Sequence, residues 1–208
     1  MNANTETFLD CLAHARVETE PYRHWLLSNM LTEETCDGIR SLPIEAPEIS
    51  DYAGTRESNN DSRGYFNEET CGEFDVCAQV VDTFKDPRVI GAIEKACGID
   101  LSKGHLRIEY TQDRDGFWLE PHKDISVKLF TMLIYLSTEP ELADAGTDIF
   151  DQDLNHLGCA PFGPNHGLIF IPGDDTWHGF VKRPINGIRR SLIVNYVTDD
   201  WRESWQLA

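Results

Sequence analysis

The N-terminal half of the chain carries apolar residues at helical spacing. Four of them lie at positions i, i+4, i+5 and i+8, which predicts one buried helix face: Val76, Val80, Val81 and Phe84. Two further helices have end signals, since Thr32 can cap one that stops at Pro43, and Asp86 can cap another that ends at Gly98. Residues 44–72 are polar and rich in Asn, Asp, Ser and Gly, so we expect a long loop that is either mobile or functional.

Beyond residue 98 the pattern changes from helical spacing to strand spacing. Residues 105–111 alternate between polar and apolar, whereas 128–137 are apolar enough for a strand that is buried on both faces. Shorter apolar runs follow at 147–150, 167–171, 179–182 and 191–197. Because Gly-containing turns separate these short runs, the pattern predicts a β-sandwich or a β-barrel.

Length and charge narrow the class of protein. A chain of 208 residues is expected to form one domain, with 1–103 as a mostly helical lead-in and 104–198 as a β-rich core. The formal net charge is −18, which opposes unaided binding to nucleic acid or to an anionic membrane. We therefore expect neither nucleic acid nor membrane among its partners.

The sequence has no targeting signal that we recognise. It contains no apolar run long enough to cross a bilayer, and its N-terminus lacks a basic start followed by an apolar stretch. None of the six cysteines forms a C-x-x-C pair, so a zinc site is not expected. A cytoplasmic protein with reduced thiols fits these features.

A candidate metal site follows from three residues in two segments. His122 and Asp124 lie in LEPHKDISV at the end of a predicted strand, where positions i and i+2 share one face. His178 in GDDTWHGF, at the start of another strand, is the best candidate for a third ligand. Two histidines and one carboxylate form the facial triad of non-haem Fe(II) oxygenases, which leaves further positions open for other ligands.

Two arginines on an apolar strand extend this pattern. Arg189 and Arg190 follow His178 by 11 and 12 positions within GIRRSLIVNYV. A buried arginine without a partner is costly, and a dicarboxylate ligand would satisfy one of them in a bidentate contact. Because neighbouring residues of a strand face opposite sides, only one arginine can enter the site.

These motifs resemble the core of a known superfamily. The segments EYTQDRDGFWLEPHKD, LFTMLIYLS, GTDIF, GLIFIPGDDTWHGF and GIRRSLIVNYV are similar, in order, to the 2-oxoglutarate/Fe(II)-dependent dioxygenases, and most to the prolyl-4-hydroxylase-like branch. The N-terminal segment PYRHWLLSNMLTEETCDGIRSLP more loosely resembles the helical lead-in of such enzymes. The resemblance implies an α+β, mainly β fold: a double-stranded β-helix, or jelly-roll, with N-terminal helices packed on one sheet.

The resemblance also implies roles for individual residues. The iron ligands would be His122, Asp124 and His178, and the candidate contacts of the co-substrate 2-oxoglutarate would be Tyr110, Tyr135, Ser191 and one arginine. The R-x-S pattern of the family fits Arg189 with Ser191, whereas an aromatic residue six positions after the arginine fits Arg190 with Tyr196. We favour Arg189.

The implied activity is an O₂-dependent oxidation. It would hydroxylate a small molecule or a peptidyl side chain, with release of succinate and CO₂. Two alternatives remain open on the same fold: a cupin-like metal-dependent isomerase or epimerase, and a non-catalytic binding or sensor module. The isomerase would need no arginine after the distal histidine, and the intact triad argues against the sensor.

Overall fold

Two antiparallel sheets and a layer of helices make up residues 2–48, 54–55 and 63–208, the part of the chain that this computed structural model describes. The helices are α1 (Ala3–Ala13), α2 (Glu33–Arg40), α3 (Glu68–Glu73), α4 (Asp75–Lys85) and α5 (Pro87–Cys97). The strands are β1 (Arg16–Glu18), β2 (His24–Ser28), β3 (Gly64–Tyr65), β4 (His105–Asp113), β5 (Leu119–His122), β6 (Lys128–Tyr135), β7 (Asp148–Phe150), β8 (His156–Cys159), β9 (His166–Phe170), β10 (His178–Phe180) and β11 (Arg189–Val197). Short 3₁₀ turns lie at Pro140–Leu142 and Ser204–Gln206.

The chain passes back and forth between the two sheets. The larger sheet has the strand order β1-β2-β9-β6-β11-β4-β3, and the smaller has the order β5-β10-β7-β8. From β4 onward, β4, β6, β9 and β11 belong to the larger sheet, whereas β5, β7, β8 and β10 belong to the smaller. Strands far apart in sequence thereby become neighbours within each sheet.

The helices cover one face of the larger sheet. Even-numbered residues of β11, such as Leu192, Val194 and Tyr196, belong to the same buried apolar cluster as Phe84 of α4 and Ile93 of α5. The Tyr196 hydroxyl donates a hydrogen bond to the backbone carbonyl of Phe84. Alternate positions of β11 therefore face the helices, and the residues between them face the smaller sheet.

The predicted helix ends are confirmed at atomic detail. Thr32 Oγ1 accepts a hydrogen bond from the amide of Thr35 at 3.3 Å, and Asp86 Oδ1 accepts from the amide of Arg88 at 2.9 Å. Gly98 follows α5 with φ of 75°, the left-handed conformation in which a Cβ is unfavourable.

The fold class is mainly β with helices and antiparallel sheets, as expected. No helix in the described ranges has the length and apolarity to span a bilayer.

Some short strands were not predicted. The segment expected to be a helical lead-in contains β2, whose sequence HWLLS pairs with β9. β8 was missed because it lies at the edge of the smaller sheet and is largely exposed, so it lacks an apolar pattern. Within the predicted loop 44–72, residues 64–65 form β3 and 68–73 form α3, whereas 49–53 and 56–62 lie outside the described residues.

One asparagine joins the N-terminal segment to the larger sheet. The buried Asn165 has φ of 61°, and its Oδ1 accepts hydrogen bonds from the amides of Met30 at 2.9 Å and Leu31 at 3.0 Å. Its Nδ2 donates to the carbonyl of Leu31 at 2.6 Å. Asparagine tolerates the left-handed conformation better than most residues. Its amide therefore satisfies three backbone groups that water does not reach.

We predict that Asn165→Ala lowers the free energy of unfolding by about 3 kcal/mol, because two buried amides and a carbonyl lose their partner. Urea denaturation followed by circular dichroism measures this change. Asn155→Ala is the matched control, since its side chain donates to Asp151 in an exposed hydrogen bond, and it should cost less than about 1 kcal/mol. Equal losses in the two variants would contradict this account of Asn165.

Candidate metal centre

The two candidate histidine ligands face each other across a strand pair. In the antiparallel pairing of β5 with β10, His122 lies directly opposite His178. Their imidazole ring centroids are 4.3 Å apart. Directly opposed residues place their side chains on the same face of a sheet, so this register brings two distant histidines to one point.

Asp124 completes the cluster just beyond the end of β5. One potential ligand atom each from His122, Asp124 and His178 lies within 4.8 Å of the others. The Asp124 side chain is 4% exposed, and His178 is buried. The structure thus brings together all three residues that the sequence indicated as ligands.

The hydrogen bonds of both histidines fit a metal site. Nδ1 of His122 lies 2.9 Å from the carbonyl oxygen of Glu120, and Nδ1 of His178 lies 3.0 Å from that of Thr176. A carbonyl only accepts, so we assign the proton of each ring to Nδ1. Nε2 is then the deprotonated nitrogen that can ligate a metal, and the backbone carbonyls fix the orientation of both rings.

Donors on the larger sheet orient the carboxylate of Asp124. The Lys128 ammonium donates to Oδ1 at 2.6 Å, and the Thr131 hydroxyl donates to Oδ2 at 2.6 Å. Thr131 in turn accepts a hydrogen bond from Nδ2 of Asn195 at 2.9 Å. A carboxylate oxygen can accept more than one contact, so this arrangement leaves Asp124 able to ligate a metal while its rotamer is fixed.

This network continues into a buried ion-pair cluster that the sequence analysis missed. Arg107 donates to Oδ1 of Asn195 at 3.3 Å and to Glu109 at 2.7 Å, and Arg63 donates to the other Glu109 oxygen at 2.6 Å. Glu109 is 0% exposed. The sequence did contain a signal for this ion-pair cluster: Arg107 and Glu109 occupy alternate positions of a strand, with apolar residues on either side of Glu109.

Two cavities adjoin the metal-ligand cluster. An open groove of about 380 Å³ is lined by His122, Asp124, Lys128, Arg63, Arg107, Trp201 and Gln206, among others. A smaller cavity of about 30 Å³ lies between the sheets and is lined by His178, Thr131, Thr147, Asp113, Phe180 and Arg189, among others. The groove opens the cluster to an outside molecule, whereas the small cavity connects it to an arginine.

Arg189 faces the small cavity. Its Nε donates to the carbonyl of Ala145 at 2.7 Å, and its Nη1 donates to Oδ2 of Asp113 at 2.6 Å. The guanidinium also lies 4.8 Å from the ring centroid of Phe180. Of the two arginines that the sequence could not separate, Arg189 is therefore the one on the side of the metal ligands.

Arg190 and Tyr110 lie on the opposite face of the larger sheet. Nη1 of Arg190 is 3.4 Å from a carboxylate oxygen of Glu139, and Tyr110 is buried in the apolar cluster beneath the helices. Tyr110 pairs with Leu192 across the sheet, so strand alternation turns both side chains away from the cavity. The structure thus corrects the expected role of Tyr110 and removes Arg190 from the candidate contacts.

Tyr135 and Ser191 lie on the cavity side of their strands and pair with each other across the sheet. The Tyr135 hydroxyl donates to Oγ1 of Thr147 at 2.9 Å and accepts from its amide at 3.1 Å. Burial raises the pKa of Tyr135, so its hydroxyl stays protonated at neutral pH. Ser191 is fully buried next to Arg189, and its Oγ has no hydrogen-bond partner within the described part of the chain.

Comparison with solved structures identifies the fold. A prolyl 4-hydroxylase from Pseudomonas putida matches with a TM-score of 0.60 and 14% identity over 93% of this chain and 98% of that one. A prolyl hydroxylase from Trichoplax adhaerens, in complex with a peptide fragment of a hypoxia-inducible factor, matches with a TM-score of 0.62 and 12% identity over 94% and 89% of the two chains. No protein-family model and no curated protein matches the sequence.

These structural similarities assign the chain to a known fold. The chain shares the fold of these prolyl hydroxylases, in agreement with the resemblance of its sequence motifs. The viral collagen prolyl hydroxylase of Paramecium bursaria Chlorella virus 1 is similar as well, with a TM-score of 0.53, 14% identity and coverage of 84% of this chain and 88% of that one. At such low identity the likeness concerns the fold, and the chemistry must be argued from the site.

We predict that His122→Ala or Asp124→Ala weakens Fe(II) binding by at least about 100-fold, because each removes a ligand and even supporting residues cost 10–100-fold. Anaerobic titration with Fe(II), with circular dichroism as a check of folding, measures the effect. His156→Ala is the control: this histidine bonds Asp148 and lies outside the triad, so its loss should leave Fe(II) affinity unchanged. Wild-type affinity in both ligand variants would refute the site.

Proposed function

We propose that this protein is a non-haem Fe(II)- and 2-oxoglutarate-dependent oxygenase that hydroxylates a small molecule or a peptidyl side chain. The observation that carries the proposal is the cavity that contains both His178 of the triad and the guanidinium of Arg189. A metal-ligand triad and a cation for a carboxylate are the two features that a chelating dicarboxylate requires. In this proposal the two sheets are the two halves of a double-stranded β-helix.

The residues present fit both the metal and the co-substrate. His122, Asp124 and His178 would hold Fe(II), which matches a donor set of two imidazoles and one carboxylate. When bound, the metal supplies activation of O₂ coupled to decarboxylation of 2-oxoglutarate, which yields succinate and CO₂. The protein contributes binding, orientation and the exclusion of competing reactions.

Arg189 and Ser191 would bind the distal carboxylate of the co-substrate. The buried Ser191 hydroxyl has a hydrogen bond to offer and lies two residues from Arg189 on the same face of β11. Tyr135 has a different task in this arrangement, because its hydroxyl already bonds Thr147. It supports the cavity wall and would reach a ligand only by exchanging that bond.

The open groove would take the substrate. It borders His122 and Asp124 and extends to Trp201, Glu203 and Gln206 near the C-terminus. Its volume of about 380 Å³ is in the range of small-molecule sites, and its open side could also admit a side chain from a peptide. The Trichoplax prolyl hydroxylase was solved with a peptide, which supports a peptidyl substrate for a chain of this fold.

The alternatives predict a different environment for Arg189. A cupin-like isomerase or epimerase needs the metal site but no buried guanidinium in the adjoining cavity. A sensor or binding module needs no complete metal-ligand triad beside that arginine. Both features are present here, so the oxygenase reading accounts for more of the observed site.

Arginine variants test the co-substrate site. We predict that Arg189→Ala weakens 2-oxoglutarate binding by about one to two orders of magnitude, since a hydrogen bond to a charged group contributes about 1.5–3 kcal/mol. Arg189→Lys keeps the charge without the planar fork and should lose less. Arg190→Ala should leave the affinity unchanged. Anaerobic titration of the Fe(II)-loaded proteins measures all three, and equal affinity in every variant would move the isomerase alternative ahead.

Turnover without substrate separates the oxygenase from both alternatives. We predict slow formation of succinate from 2-oxoglutarate and O₂ by the Fe(II)-loaded protein, because these oxygenases often turn over their co-substrate without substrate. Asp124→Ala, which lacks one ligand, serves as the control and should form none above the background of free iron. Succinate at the background level from the wild-type protein would contradict the proposal.

A further inference from the structure

We propose that Asp113 sets the affinity for the co-substrate by competing with its distal carboxylate for the guanidinium of Arg189. The inference rests on the proposed function, since it concerns the same cavity. It assigns a role to an acidic residue that neither the triad nor the arginine motif includes. Asp113 acts through Arg189, so it tunes the affinity of the site and takes no part in the chemical step.

The position of Asp113 follows from the register of the larger sheet. Asp113 is the last residue of β4 and lies directly opposite Arg189, the first residue of β11. Its Oδ2 lies 2.6 Å from Nη1 of Arg189, and the two side chains are 12% and 7% exposed. The contact is therefore a largely buried ion pair at the end of the cavity where a distal carboxylate would bind.

The orientation of Arg189 does not depend on Asp113 alone. Nε of Arg189 donates to the carbonyl of Ala145 at 2.7 Å. The guanidinium carbon lies 4.8 Å from the ring centroid of Phe180, 5.9 Å from that of Tyr135 and 6.0 Å from that of Phe162. Removal of the Asp113 charge should thus leave the guanidinium in place and able to bind another carboxylate.

The charge of Asp113 opposes an incoming carboxylate. Asp113 and Arg189 both line the cavity that also borders His178, so a dicarboxylate that reached from the metal-ligand cluster to Arg189 would place its distal carboxylate next to Asp113. A second carboxylate at the same guanidinium is opposed by like-charge repulsion, which is poorly screened in a buried site.

The same competition would favour release of the product. Succinate keeps the distal carboxylate but lacks the 2-oxo acid group that chelates a metal, so its affinity depends more strongly on Arg189. As succinate leaves, Asp113 regains its ion pair and the arginine is not left buried without a partner. Asp113 thus lowers the affinity for both carboxylates and keeps Arg189 paired when the site is empty.

The test is an anaerobic titration of the Fe(II)-loaded 208-residue protein with 2-oxoglutarate and, separately, with succinate. We expect Asp113→Asn, which preserves shape and removes the charge, to bind both ligands about tenfold more tightly than wild type, or about 1.4 kcal/mol. Asp113→Ser is a second variant in case the amide packs poorly. Glu139→Gln is the matched control, since it removes the carboxylate partner of the neighbouring Arg190 on the other face, and it should change neither affinity.

A double-mutant cycle assigns the effect to Arg189. In the Arg189→Ala background, Asp113→Asn should no longer tighten binding, a dependence that a purely structural role of Asp113 would not produce. If wild type binds 2-oxoglutarate through Arg189 but Asp113→Asn and Asp113→Ser bind it equally or more weakly, Asp113 orients the arginine and the inference is wrong while the proposed function stands. If wild type binds no 2-oxoglutarate, both proposals fail together.

Discussion

The pairing of β5 with β10 is the contact on which the rest of the site depends. It places His122 opposite His178, and it requires the two backbones to approach closely next to the ligands. A Cβ at Gly179 would lie 2.8 Å from the carbonyl oxygen of Leu119 and 3.1 Å from that of Glu120. Real side chains essentially never tolerate the shorter distance, so glycine at position 179 is a condition for the register that brings His122 and His178 together.

The third candidate ligand, Asp124, joins the smaller sheet to the larger one. Asp124 follows β5, yet its carboxylate is held by Lys128 and Thr131 of β6, and Thr131 is held by Asn195 of β11. Every link in this chain is a hydrogen bond between buried or nearly buried groups, where an unpaired member is costly. The metal-ligand cluster is therefore also a structural joint, because the same carboxylate that can bind a metal fastens one sheet to the other.

Sequence reasoning selected His122, Asp124 and His178 as candidate ligands from strand periodicity and one distant histidine, and the structure brings the three side chains together. It also anticipated that only one of Arg189 and Arg190 could face the site, but the face was settled by the register of β11 against β4, which no local pattern encodes. Tyr110 was misplaced for the same reason. β8 was missed because an exposed edge strand needs little apolar pattern, and Asp113 was overlooked because its partner lies 76 positions away.

Strand alternation places Arg189 and Arg190, which are neighbours in sequence, in two different environments. On β11, Arg189 faces the cavity and pairs with Asp113, whereas Arg190 lies on the opposite, helix-covered face of the sheet and pairs with Glu139. The two pairs have the same chemistry but different surroundings: the first is buried next to the candidate metal ligands, and the second is partly exposed to solvent. Exposed pairs contribute little to folding, whereas a buried arginine must always have an acceptor. In the structure the Asp113 carboxylate and the Ala145 carbonyl are those acceptors for Arg189, which explains how so polar a cavity can persist inside the fold.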